Sequence, residues 1–350
     1  MLMQSSLPFA PAETLETDRP MKAEIYLPET GRFDAQLDAP WSSISVVVPV
    51  YESEASLPEL MERLEGVLAS LTPKFEAILV NDGSRDNSWQ VIQQLAVKYQ
   101  WVRGIDLARN YGQHNALLCG IRAARGMIIV TMDDDLQHPP EELPKLLAKI
   151  QEGSDVVYGF PERQQHGLLR DLASEITKMA LQKSMGGETA RHVSAFRAFR
   201  AGTRDAFAEY HGPFVSIDVL LTWGTSRFGA LAVRHEPRRL GVSNYTVFKL
   251  LTHAMNMVTG FSTWPLQAAN LLGFCCTAFG AVLLLFVLGR YFLFGTTVPG
   301  FTFLASTIAI FSGAQLLALG IIGEYLARMH FRMMDRPAYS VREQASGGAR

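Results

Sequence analysis

Asp133, Asp134 and Asp135 stand side by side in a chain of 350 residues. Three adjacent carboxylates repel one another, and a divalent cation removes that repulsion. Hard oxygen donors of this kind suit Mg²⁺ or Mn²⁺. Mg²⁺ takes one or two protein carboxylates and completes its shell with phosphate oxygens and water, so the triplet points to a phosphorylated substrate. On local grounds alone, the same acids also read as a helix N-cap with spare charge ahead of Pro139 and Pro140. His138 reads as a surface residue or one standing behind the ligands, because no second His lies at metal spacing.

Other polar clusters punctuate the first half of the chain. They are residues 49–54 (PVYESE), 81–86 (NDGSRD), 108–112 (ARNYG) and 133–140 (DDDLQHPP). Each follows a short β-rich run: 44–50, 75–80, 102–107 and 127–132. Helical periods fill the gaps at 57–71, 88–99, 114–124 and 140–152, and 155–158 reads as a further strand. This βαβα order predicts an α/β fold with a mostly parallel sheet and helices on both faces. Ligands in such sheets bind beyond the carboxyl ends of the strands, where these polar clusters fall. Gly83 permits a tight turn, and Ser84 or Asp86 can cap the helix that follows.

The bulk numbers narrow the function classes. A formal net charge of −2 gives no global field for nucleic acid. Cys119, Cys275 and Cys276 make no disulfide framework and no zinc motif. Residues 1–40 are rich in Pro, Glu, Asp and Ala, lack the pattern of a signal peptide, and read as a mobile leader. Between Leu250 and Gly323 the one full charge is Arg290. That run divides at 295–300 into two apolar segments, 268–294 and 301–327, each long enough to span a bilayer. Arg238, Arg239 and Lys249 precede the pair, and Arg328, Arg332 and Arg336 follow it, which places both flanks in the cytoplasm. Apolar residues at helical spacing over 247–261 and 168–179 suggest helices lying along the membrane surface, with core packing as the alternative for the second. The expected organisation is a leader (1–40), a cytoplasmic domain (41–245), an interfacial helix (246–266), a two-helix anchor (267–328) and a cytoplasmic tail (329–350).

Taken together, these motifs resemble the family 2 glycosyltransferases, and within them the polyprenyl-phosphate sugar transferases. The resemblance is carried by residues 46–51 (VVVPVY), 80–84 (VNDGS), 107–112 (LARNYG) and 131–137 (TMDDDLQ). It continues through 194–200 (SAFRAFR), 238–245 (RRLGVSNY), 260–266 (GFSTWPL), 323–328 (GEYLAR) and 336–341 (RPAYSV). It implies a GT-A type nucleotide-sugar-binding domain. The donor would be a UDP- or GDP-linked sugar, and the acceptor a polyprenyl phosphate held in membrane lipid. By that resemblance Pro49, Tyr51 and Asp82 hold the base and ribose, with Arg109, Asp134 and Arg238 nearby. Asp133, Asp135 and Gln137 match the metal contacts, while Arg163, Arg170, Ser174 and Arg197 match the receiving site of the lipid phosphate. Asp133, Asp135 and Arg170 are the expected catalytic residues. Two helices per chain also offer an interface for a homo-oligomer.

The chain departs from the family pattern at several points. Glu52 and Ser53 replace the usual Asn-Glu, and Asp134 stands where Ala is usual. Arg191 or His192 occupies the place of an Asp, for which Asp218 is a candidate substitute, and Asn244 replaces a common Lys. The resemblance implies an inverting displacement in which an already anionic acceptor oxygen needs little from a general base. Two rival readings are a polysaccharide synthase and a non-catalytic membrane protein that binds a sugar nucleotide. The first would carry a Gln-x-x-Arg-Trp motif that this sequence lacks, and a magnesium phosphatase would place Thr or Val where Gln137 stands.

Overall fold

A computed structural model describes residues 42–161, 192–212, 215–236, 264–294, 300–334 and 336–347. Arg163, Arg170, Ser174, Arg191, Arg238 and Asn244 lie outside the described residues, as do the leader, the 168–179 stretch and the 247–261 stretch. The elements run β1 (Ile44–Val50), α1 (Leu57–Leu71), β2 (Phe75–Asn81), α2 (Ser88–Lys98), β3 (Val102–Leu107), α3 (Gln113–Ala123) and β4 (Ile128–Thr131). A 3-10 turn (Pro140–Glu142) then leads into α4 (Leu143–Gln151) and β5 (Val156–Pro161). β6 (Arg197–Arg200), a second 3-10 stretch (Ala201–Phe207), α5 (Ile217–Gly224) and β7 (Phe228–Val233) complete the domain. Two long helices, α6 (Trp264–Phe294) and α7 (Phe301–Met333), precede a last strand, β8 (Val341–Ser346).

The strands form one sheet in the order β7-β5-β6-β4-β1-β2-β3-β8. β1 pairs in parallel with β2 and β4, and β2 with β3, so four carboxyl ends point the same way. β1 is buried along its whole length, as a strand covered on both faces must be. Its even residues Val46, Val48 and Val50 pack with Leu57, Leu60, Met61, Leu64 and Leu68 of α1. Val47 faces the other way, toward Ala116, Leu117 and Cys119 of α3. Each such apolar side chain removed from water contributes about 1.5–3 kcal/mol, and the helices' 3.6-residue period delivers them on one face.

The sequence predicts the first five strands to within a few residues of where they lie. It predicts β6, α5, β7 and β8 not at all. Residues 341–346, expected within a tail, instead pair antiparallel with β3 and cover the edge of the sheet. The helix pair is placed as expected. Pro265–Leu293 has mean hydropathy 2.6 and Ile310–Met333 has 1.5, and neither is buried by the rest of the chain. At 1.5 Å per residue both exceed the roughly 30 Å of a bilayer core. They lie against each other, with a Cβ added at Gly280 falling 3.1 Å from the Phe311 ring.

Candidate active site

Four loops leave β1, β2, β3 and β4 at the same end of the sheet and hold one another in a closed circuit. From the β1 loop, the Tyr51 N–H donates to Asp134 Oδ2 at 3.2 Å, and the Glu52 N–H donates to Ser84 Oγ of the β2 loop at 3.0 Å. From the β2 loop, Asp82 accepts the N–H groups of Tyr111 at 2.7 Å and Gly112 at 2.8 Å, which fixes the β3 loop. Gln113, the first residue of α3, donates its side-chain amide to Asp133 Oδ1 at 2.6 Å and returns the circuit to the β4 loop. Asp135 Oδ1 accepts the N–H of Gln137 at 3.1 Å, which curls the acidic loop back on itself.

Backbone conformation marks the same loops. Glu52 (φ 54°) and Leu136 (φ 60°) are the two non-glycine residues with positive φ among the described residues. Such conformations cost on the order of 1–2 kcal/mol each and gather where neighbouring structure enforces them. At Gly83 (φ +66°) a Cβ would fall 2.5 Å from the Asn110 nitrogen, so only glycine lets the β2 turn approach the β3 loop this closely.

The electrostatics follow from burial and from these bonds. Burial lifts the Asp134 carboxyl to about 6, Asp135 adds to the rise, and the Ser53 hydroxyl and Tyr51 N–H oppose it. Asp134 is thus a brace between two loops, and Asp133 and Asp135 flank it, all three half-buried. Asp82 is 3% exposed; burial raises its pKa, and the two N–H groups it accepts pull the other way. Tyr51 and Arg109 are exposed, and the Arg109 guanidinium lies 4.7 Å from the centre of the Tyr111 ring. Pro49 is buried within β1, one residue from its end.

The chemistry of the acidic loop fits a divalent cation. Asp133 and Asp135 supply hard oxygen donors, and Gln137 follows two positions later in the same loop. Among the described residues no three His, Cys, Asp or Glu side chains close into a cage. Two carboxylates with substrate phosphate and water are the donor set that Mg²⁺ ordinarily takes.

Arg197 is placed differently from a phosphate ligand reaching into solvent. It begins β6 opposite Thr131 at the site end of β4, but its side chain is 2% exposed. Its Nη1 is bonded to Asp218 Oδ1, which also accepts the Tyr158 hydroxyl at 3.0 Å. Asp218 is therefore the counter-ion of a buried arginine. A buried guanidinium left without that carboxylate would cost several kcal/mol.

Sequence reasoning missed three contributors. Gln113 follows directly on the 107–112 motif, and its position at a helix start was the available signal. His235 follows β7 closely, beside the acidic loop, where the Glu236 N–H donates to the Gln137 carbonyl at 2.9 Å. The His235 ring meets the edge of His138 at 5.1 Å, and His138 itself is 8% exposed and stacks on Phe196 at 5.4 Å. His138 is thus a core residue rather than a surface one. The third contributor, Arg342, follows directly on the 336–341 motif, which was its one local signal.

Known proteins of similar sequence identify the family. Residues 45–210 match the model of glycosyl transferase family 2. An undecaprenyl-phosphate 4-deoxy-4-formamido-L-arabinose transferase of Shewanella sediminis is 36% identical over 88% of this chain and 95% of its own length. Transferases of the same name from Pseudomonas fluorescens and Proteus mirabilis are 34% and 33% identical, over 86% of this chain and 90% and 94% of theirs. A glucosyl-3-phosphoglycerate synthase of Mycobacterium tuberculosis, solved with Mn²⁺, UDP and phosphoglyceric acid, overlays with a TM-score of 0.47 at 19% identity. That overlay covers 63% of this chain and 77% of the synthase. The chain is a glycosyltransferase, and it belongs to glycosyltransferase family 2.

Proposed function

We propose that the protein transfers a sugar from a nucleoside diphosphate to undecaprenyl phosphate at the cytoplasmic face of a membrane, with inversion at the anomeric carbon. The observation that carries this reading is the closed circuit of strand-end loops around Asp133 and Asp135, in a chain with two bilayer-length helices. Relatives matched over nine-tenths of their length are named for transfer of 4-deoxy-4-formamido-L-arabinose to undecaprenyl phosphate, which makes that amino-pentose the first donor to test.

The chain's own residues divide the work. Asp82 holds the β3 loop, with Arg109 and Tyr111, against the β2 loop, and Tyr51 of the β1 loop is presented for the nucleotide. Asp133 and Asp135 would hold the cation, with Gln137 in the same loop. A bound Mg²⁺ or Mn²⁺ supplies positive charge against the departing diphosphate. Arg163 and Arg170 are assigned to the lipid phosphate, whose oxygen is already anionic and attacks without a strong base. The helix pair keeps this site beside an acceptor that cannot leave the bilayer.

Purified protein supplied with a panel of radiolabelled sugar nucleotides and undecaprenyl phosphate is expected to form a lipid-linked sugar. No transfer from any donor overturns the reading. Asp135→Ala is expected to abolish transfer at an unchanged unfolding midpoint, and full activity in that variant removes the metal role. Arg170→Ala is expected to raise KM for the lipid far more than KM for the sugar nucleotide.

A further inference from the structure

β8 does more than cover an edge. Its register against β3 runs regularly from Arg103 opposite Ser346 to Asp106 opposite Glu343, and then jumps, so that Leu107 faces Val341. Arg342 is the extra residue of that bulge. Bulges re-aim a side chain that regular pairing would direct elsewhere. Here the Arg342 guanidinium reaches Asp106 Oδ2 at 3.2 Å and the carbonyl of Ala108. One residue earlier than the bulge's Val341, the carbonyl of Ser340 accepts the Ala108 N–H at 2.8 Å. The first residue of the 108–112 loop is therefore held through both its N–H and its C=O by a segment more than two hundred positions away.

The partners of Arg342 belong to the site. Asp106 is 2% exposed, and its other oxygen accepts the Asn81 side-chain amide at 2.7 Å. Asn81 immediately precedes Asp82, the residue that clamps the far end of the same loop at Tyr111 and Gly112. Loop 108–112 is pinned at its start by β8 and at its end by β2, and Arg109 lies between the two pins. Loss of the first pin would free Arg109 while leaving Asp106 buried with a single neutral partner.

We infer that Arg342 is a positioning residue of the donor site, setting loop 108–112 for the nucleotide through Asp106 and the Ala108 carbonyl. The inference rests on the reading of that loop as part of the nucleotide-sugar site. It assigns the segment after the membrane helices a part in donor binding.

Glu343 provides the internal control. It projects to the other side of β8, where it accepts from Trp89 Nε1 at 3.2 Å and Gln93 Nε2 at 3.3 Å, away from the loop. The full-length protein in detergent is titrated with UDP and with GDP, and steady-state transfer is measured with the donor that supports it. Arg342→Met is expected to weaken nucleotide binding about tenfold and raise donor KM equally, with KM for undecaprenyl phosphate within about twofold of wild type. Arg342→Lys keeps the charge without the fork and is expected to fall between. Glu343→Gln is expected to bind nucleotide as wild type does. Wild-type affinity in Arg342→Met overturns the inference, as does an equal loss in Glu343→Gln, which would make β8 a plain edge strand. If Arg342→Met does not fold, Arg342→Lys decides: an unchanged donor KM overturns the assignment. A wild-type protein that binds neither nucleotide and transfers nothing overturns the functional reading itself, a result distinct from all of these.

Discussion

Single side chains in this protein carry charge states that their surroundings dictate. Burial, with His235 as a second cause, lowers the pKa of His138 to about 4, against an ordinary 6.5. The unfolded chain therefore binds a proton that the native chain refuses between those two values. Stability from this group is complete above pH 6.5 and falls as pH drops toward 4, by roughly 3 kcal/mol in total. Thermal midpoints measured from pH 7.5 to 4.5 should decline more steeply for wild type than for His138→Phe, which keeps the ring on Phe196. Parallel declines would show that the imidazole does not carry the effect. Cys119 shows the same logic with a thiol. Burial pushes it to about 12, so it should resist a thiol reagent at pH 8 until the protein is unfolded.

At the scale of elements, the close approach of turn to loop is the point of least tolerance. Gly83→Ala would place a Cβ against the Asn110 backbone and force an alanine into positive φ. A loss of about 2–4 kcal/mol is expected, with nucleotide affinity falling alongside it. A thermal midpoint within 2 °C of wild type would mean that the two loops can separate at little cost. The elements legible in the sequence were those whose own composition decides them. The apolar runs of β1 to β4 and the periodic faces of α1 and α4 need no distant partner to be recognised. β6 begins and ends on arginine, and Arg197 is acceptable in a core only because Asp218 arrives from a later helix. β8 is polar and largely exposed, so nothing in its six residues separates it from a tail until β3 is seen beside it. The site divides in the same way. Polar clusters after strands 1 to 4 announced it, whereas the clamp of Asp82 on Tyr111 and Gly112 and the reach of Arg342 are long-range contacts without local pattern.

For the whole molecule, the arginines and lysine on either side of the helix pair set the expected orientation. In a background lacking Cys275 and Cys276, a cysteine placed at Thr296 should react with an impermeant maleimide from outside intact cells. One placed at Gln94, exposed on α2, should react only after permeabilisation. Labelling in the reverse order would invert the topology and remove the access to cytoplasmic donors. The pairing of β8 with β3 also sets an order of assembly. Chains are synthesised from the amino end, and domains fold as they emerge. β3 leaves the ribosome long before Arg342 does, and both apolar helices are made in between. The catalytic sheet can form early, but its last seam closes only after both apolar helices have been made. Until the segment beyond the helix pair has been made, the β3 edge stays open and the 108–112 loop lacks its first pin, so this loop is among the last parts of the fold to be completed.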